Sequence, residues 1–122
     1  MSNNKPNIVF IFPDQLRADF LGCYGADFLK TPNIDSLAEN GVLYEKAYSS
    51  SPVCVPARTS LLTGLNPYKH GITGNWEAIR PDYKITGIKT WADIIKDQGY
   101  YTSAVGKMHF YPWDARHGFD YR

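Results

Sequence analysis

Cys54-Val55-Pro56-Ala57-Arg58-Thr59-Ser60-Leu61-Leu62-Thr63-Gly64 is the stretch on which the reading of this chain turns. The Ser49-Ser50-Ser51-Pro52 run ahead of it is loop chemistry. Pro56 suits the first turn of a helix, where its missing N–H would be unpaired anyway. Residues 57–62 are tolerable or good helix formers. Cys54 is therefore expected just before a helix N-terminus, with Arg58 one turn inside. Backbone N–H groups and the helix dipole at such an end attract anions. Arg58 adds a planar cationic fork that matches an oxyanion. A nucleophile, an anion-binding helix end and an arginine within five residues make a site suited to sulfate- or phosphate-ester chemistry.

Taken singly, these residues have simpler readings. A lone free cysteine is more often a buried, inert thiol, and a lone arginine a surface ion pair. A thiolate phosphatase needs a longer loop between its Cys and Arg, and a His where Val53 stands. The whole pattern, C-x-P-x-R followed after four residues by T-G, resembles the maturation motif of the sulfatases. In that family a maturation enzyme converts the cysteine to formylglycine, and the hydrated aldehyde is the nucleophile.

Outward from the motif, residues 7–12 form a continuous apolar, β-branched run that ends at Pro13-Asp14. The run predicts a buried parallel strand whose C-terminal end, where α/β sheets bind ligands, carries a carboxylate. Residues 16–24 predict a short helix or loop closed by Gly22 and Gly25. A helix is expected from Thr31-Pro32-Asn33 to Asn40-Gly41, with Ile34, Leu37 and Ala38 on one face. Residues 42–48 predict a second strand. The stretch 65–89 is irregular. A helix capped by Thr90 and stopped by Gly99 precedes a third strand over 100–105. The tail from Phe110 to Arg122 is aromatic and loop-like. This order predicts an α/β sandwich with a mostly parallel sheet.

Further residues carry chemistry. Asp14 and the Gln15 amide oxygen suit a hard cation, although an isolated Asp at a strand end is more often a cap or a surface charge. Lys107 and His109 fall on one face if the third strand continues, which suits anion binding with proton transfer.

These segments extend the resemblance. The 7–15 stretch resembles the first strand and metal ligand of sulfatases. Leu21-Gly22-Cys23-Tyr24-Gly25, Thr31-Pro32-Asn33-Ile34-Asp35 and Gly106-Lys107-Met108-His109 also recur in that family. The resemblance implies an alkaline-phosphatase-like fold, of which residues 1–122 form the N-terminal part of a catalytic domain. It implies metal ligands at Asp14, Gln15 and the matured Cys54, and catalytic roles for Cys54, Arg58, Lys107 and His109. It also implies a supporting polar role for Asn75 and a divalent cation, calcium by family, with magnesium or manganese allowed by the ligands.

Gln15 stands where many sulfatases carry a second Asp. That departure resembles choline-sulfatase-like enzymes and also phosphonate or phosphodiester hydrolases, an alternative that Lys107 and His109 disfavour. A non-catalytic fragment is the third reading. The partners implied are a small sulfate ester and the formylglycine-generating enzyme, with a homo-oligomer possible. His70 is expected to be structural, bonded to the loop backbone. His117 has no assigned role, and Cys23 reads as a buried small hydrophobe.

Composition excludes other classes. At 122 residues the chain makes one domain at most. A net charge of +1, with charges scattered, gives no nucleic-acid footprint. Two cysteines make neither a disulfide framework nor a zinc motif. No run is long enough to span a membrane. The start, from Met1 to Pro6, carries no leader pattern, so a cytoplasmic protein is expected.

Overall fold

The computed structural model describes residues 5–122, so the expectation about the first four residues lies outside it. The chain divides into two compact units, Met1–Ala47 and Tyr48–Arg122.

In the first unit the predicted strand over 7–12 is not formed. Val9 is 81% and Ile8 63% exposed, and residues on both sides of the run face outward. The Phe10 and Phe12 rings stack at 5.9 Å. A β-strand exists only by pairing, and no β-ladder is formed over 7–12 among the described residues. The strand over 42–48 is absent for the same reason, with Val42 and Tyr48 exposed.

The helix beginning at Pro32 does form, as α1 over Pro32–Asn40, with Pro at its start. Its expected apolar face is uncovered: Ile34 and Leu37 are exposed. Two 3₁₀ turns, Ala18–Phe20 and Gly22–Tyr24, precede it. The Gly22 N–H donates to Thr31 Oγ1 at 2.8 Å, and the Cys23 N–H to Asp35 Oδ1 at 2.7 Å. The Thr31 hydroxyl in turn donates to Asp35 at 3.0 Å. The two short motifs around Gly22 and Thr31 are thus one hydrogen-bonded knot. A Cβ on Gly22 would meet Asp35 Oδ2 at 2.5 Å, so only glycine fits. Cys23 is half-buried, and desolvation together with the Asp35 carboxylate pushes its thiol pKa up, which keeps it protonated.

The second unit holds three helices: α2 over Cys54–Thr63, α3 over Pro67–His70 and α4 over Trp91–Asp97. Helix α2 buries Val55, Thr59 and Leu62 along one face, at helical spacing. It ends because Gly64 takes φ 70° and its N–H returns to the Ser60 carbonyl at 2.8 Å. Helix α4 starts with a complete capping box: Thr90 Oγ1 accepts the Asp93 N–H while Asp93 accepts the Thr90 N–H. The Gly99 N–H closes onto the Lys96 carbonyl at 2.8 Å, as its sequence position predicts.

Leu62, Ala92, Ala104, Phe110 and Phe119 form the core, flanked by Trp91, Met108 and Ala115. The Trp91 and Phe119 rings meet edge to face at 5.3 Å. Of the third predicted strand, one parallel bridge remains, Ser103 to Tyr121. Thr102 and Ala104 are buried while Ser103 and Val105 are exposed, so strand alternation is kept. Its partner is the aromatic tail, which the sequence reading left as loop. The Ala104 N–H donates to the Tyr121 carbonyl at 3.0 Å. The mostly parallel sheet is therefore not present among the described residues.

Beside the core lies a polar network. Asp93 accepts hydrogen bonds from Tyr83 Oη at 2.5 Å and Thr90 Oγ1 at 2.9 Å, and pairs with Lys84 at 2.6 Å. Burial opposes the charge on Asp93, but Lys84, Tyr83 and Thr90 outweigh it and hold its pKa at about 2. Burial and the Asp93 carboxylate push the Tyr83 phenol pKa up.

Candidate active site

Helix α2 carries Cys54 as its first residue and Arg58 one turn on. Val53, at the N-cap, has no side-chain acceptor to offer. Other groups take over that task. The Val53 N–H donates to Ser51 Oγ at 3.3 Å, and the Val55 N–H to Asn75 Oδ1 at 2.9 Å. Pro56 has no N–H. Of the three donors left at this helix start, the Cys54 N–H has no such assignment among the described residues. The expected row of open N–H groups is therefore reduced to the one beside the nucleophile. Positive charge at the site comes from side chains instead.

One of these comes from far along the chain. Lys107 Nζ donates toward Cys54 Sγ at 3.9 Å. Arg58 Nη1 donates to the Lys107 backbone carbonyl at 2.5 Å. Arg58 thus ties the 106–109 segment to α2, a structural task that its sequence position did not reveal. Cys54 is half-buried and Lys107 is exposed.

Asn75 is held by its own loop. The Glu77 carboxylate accepts the N–H groups of Thr73 and Gly74 and the Thr73 hydroxyl. These backbone donors lower the Glu77 pKa. Glu77 was not singled out in the sequence. Its place four residues after Thr73 was the available signal.

His109 is not where simple alternation would put it. Gly106 (φ 98°) and His109 (φ 60°) both adopt left-handed backbone, so Lys107 and His109 do not sit on one strand face. His109 is half-buried, and its Nδ1 is buried without a hydrogen-bond partner among the described residues.

Asp14 and Gln15 lie in the first unit, both exposed. Gln15 has φ 58°. Among the described residues three non-glycine residues have positive φ, namely Gln15, His109 and His117, and two of these belong to the predicted site. Strained backbone of this kind gathers at functional positions. The oxygens of Asp14 and Gln15 suit a hard cation, which takes six or more oxygen ligands. Among the described residues no group of three His, Cys, Asp or Glu side chains comes together. The residues present therefore do not make a cation site on their own.

A cavity of about 560 Å³ lies elsewhere in the second unit, lined by Lys84, Lys89, Lys96 and Arg116 among others. Its lysines are ion-paired with Asp93, Asp97 and Asp120 respectively. It shares no residue with the Cys54 site.

The sulfatase family model matches residues 6–121. This chain belongs to the sulfatase family. It is 42% identical over 108 residues to an arylsulfatase of Clostridium perfringens, covering 88% of this chain and 22% of that protein. It is 38% identical over its full length to a choline-sulfatase of Rhizobium meliloti, of which it covers 23%. A solved structure of a protein in complex with its substrate D-glucosamine-2-N,6-O-disulfate superposes with a TM-score of 0.86 at 28% identity, covering 97% of this chain and 23% of that one. The chain spans about a fifth of the length of the curated relatives it matches. Among the described residues, no helix is long and apolar enough to cross a membrane.

Proposed function

We propose that this chain supplies the nucleophile-bearing part of a sulfuric ester hydrolase whose reactive group is a formylglycine made from Cys54. The observation that carries this reading is the Lys107 ammonium 3.9 Å from the Cys54 sulfur at the head of α2, in a chain of the sulfatase family. Residues 1–122 are the N-terminal part of the catalytic domain, and the fold of the complete domain is the α/β sandwich with its mostly parallel sheet.

The Cys54 thiol marks the position of the aldehyde. Once hydrated, one hydroxyl of the gem-diol attacks sulfur and the ester alcohol leaves with a proton. Loss of the proton on the second hydroxyl then re-forms the aldehyde and expels sulfate. Lys107 neutralises charge that develops on the sulfate oxygens. Arg58 holds Lys107 in place through its carbonyl and adds a second positive charge. His109, with Nδ1 uncommitted, is the base for the second hydroxyl. Asn75 fixes the start of α2. A divalent cation, calcium by family, would be held in part by the oxygens of Asp14 and Gln15, with further ligands, and would supply charge neutralisation.

The substrate is a small sulfate ester, and the partner is the formylglycine-generating enzyme. The test uses the full-length gene product expressed with that enzyme. Mass analysis of the peptide containing position 54 should show the thiol replaced by an aldehyde. Turnover of aryl sulfate and choline sulfate should exceed that of an aryl phosphonate, and Cys54→Ala should abolish it. Full activity in Cys54→Ala would overturn the mechanism. A preference for phosphonate would overturn the substrate class.

A further inference from the structure

Segment 70–75 runs beside helix α2 and touches it at two places five residues apart on each. At one end, His70 Nε2 lies 2.9 Å from Ser60 Oγ. At the other, Asn75 Oδ1 accepts the Val55 N–H at 2.9 Å. Five helical residues rise about 7.5 Å, and His70 and Asn75 are likewise five apart, so the segment lies along α2 as a strap. The direction is antiparallel: 70 meets 60, and 75 meets 55.

The chemistry of His70 fixes how the strap is fastened. His70 Nδ1 accepts the Ile72 N–H at 3.1 Å. A nitrogen that accepts carries no proton, so the neutral ring has its hydrogen on Nε2 and donates it to Ser60. Desolvation lowers the His70 pKa, which favours that neutral form. The direction of the hydrogen bond rules out His70 as a base for the Ser60 hydroxyl. The ring instead joins the strap's own backbone, at Ile72, to the middle of the helix. Ser60 is buried on the face of α2 that also buries Pro56.

We propose that His70 is a positioning residue for Cys54: by fastening the strap to Ser60, it delivers Asn75 to the head of α2 and so sets where Cys54 sits relative to Lys107. The reaction this serves is the sulfate-ester cleavage proposed above. The strap itself is testable without that reaction.

The test uses the full-length gene product and reads amide hydrogen exchange residue by residue. His70→Leu should speed exchange of the Val55 amide at least tenfold, while the Ala104 amide, bonded to Tyr121 in the same unit, stays as in the parent. His70→Gln, whose amide nitrogen can replace the Nε2 donor, should restore Val55 protection to within about threefold. The ring ¹⁵N shifts of His70 should report the Nε2–H tautomer. In turnover, His70→Leu should lower kcat about tenfold or more with KM little changed, and adding Asn75→Ala should lower it no further.

Unchanged Val55 exchange in His70→Leu, or an Nδ1–H tautomer, would overturn the strap. A uniform rise in exchange at Val55 and Ala104 alike would reduce His70 to a general stabiliser and would also overturn it. Should His70→Leu fail to fold, Ser60→Ala removes the acceptor alone and must give the same selective loss at Val55. Intact strap behaviour in a protein that cleaves no sulfate ester would sink the functional reading and leave this one standing.

Discussion

Arg58 and Lys107 lie 49 positions apart, yet the Arg58 guanidinium donates to the Lys107 carbonyl at 2.5 Å. The arginine of the maturation motif therefore holds the segment that carries the second cation, as well as adding charge of its own. Arg58→Lys keeps the charge but loses the planar fork. Expected is a fall in kcat of about 10²-fold, of the size seen when one transition-state donor is removed, accompanied by weaker protection of the 106–109 amides. Steady-state kinetics and hydrogen exchange on the same protein check both. A variant with full kcat would show that a point charge alone suffices.

Asn75 does the work of a cap for a helix whose N-cap residue is a valine. Replacing Asn75 with Leu should destabilise the second unit by about 1 kcal/mol, the usual cost of losing a cap. Asn75→Asp keeps the acceptor oxygen and should recover most of that. Denaturant melts of the two variants distinguish this from a contact that matters only to substrate.

Acid should weaken the fold in two steps. His117 is 4% exposed and packs against Phe110 at 4.6 Å and Tyr83 at 5.4 Å. Burial, then the charge of Arg122, depress its pKa to about 4, against the pull of Asp93. Between pH 6.5 and 4 the unfolded chain binds a proton that the native chain refuses, so stability falls with pH across that window, by up to about 3 kcal/mol. His117→Phe should flatten the slope there. Asp93 works lower down: with its native pKa at about 2, its contribution is complete above pH 4 and is lost as pH falls toward 2. Urea melts from pH 7 to pH 3 should show both steps in the parent and only the lower one in His117→Phe.

Gly118 has φ 99°, and a Cβ there would meet Thr90 Oγ1 at 2.6 Å and the Asp93 nitrogen at 2.8 Å. Backbone atoms cannot step aside cheaply. Gly118→Ala should therefore cost about 2 kcal/mol or more, because it opens the capping box of α4 from outside. Calorimetry of the single variant is sufficient; an unchanged Tm would contradict the packing described.

Local chemistry was legible in the sequence and long-range pairing was not. The start of α4 at Thr90 and its end at Gly99 follow from a side chain and a glycine within a few residues. The strands at 7–12 and 42–48 needed partners from far along a chain, and pattern alone cannot supply a partner. The one bridge formed among the described residues, Ser103 to Tyr121, joins a predicted strand to a tail whose aromatics gave no strand signal. At the site, the motif pointed to Cys54 and Arg58, and to Lys107 by resemblance. What it hid was the division of labour. Asn75 serves a backbone N–H 20 residues away and Arg58 a backbone carbonyl 49 residues away, and no residue-type pattern announces such long-range bonds.

Both anchors of the site end on main-chain atoms, the Val55 N–H and the Lys107 carbonyl. Every amino acid presents a carbonyl, and all but proline an N–H. The side chain at position 107 can therefore be exchanged for one of different charge or reach while the arginine keeps its grip. The scaffold and the group it displays can change independently, so an evolving lineage can alter the charge beside Cys54 by one codon without dismantling the cradle around it.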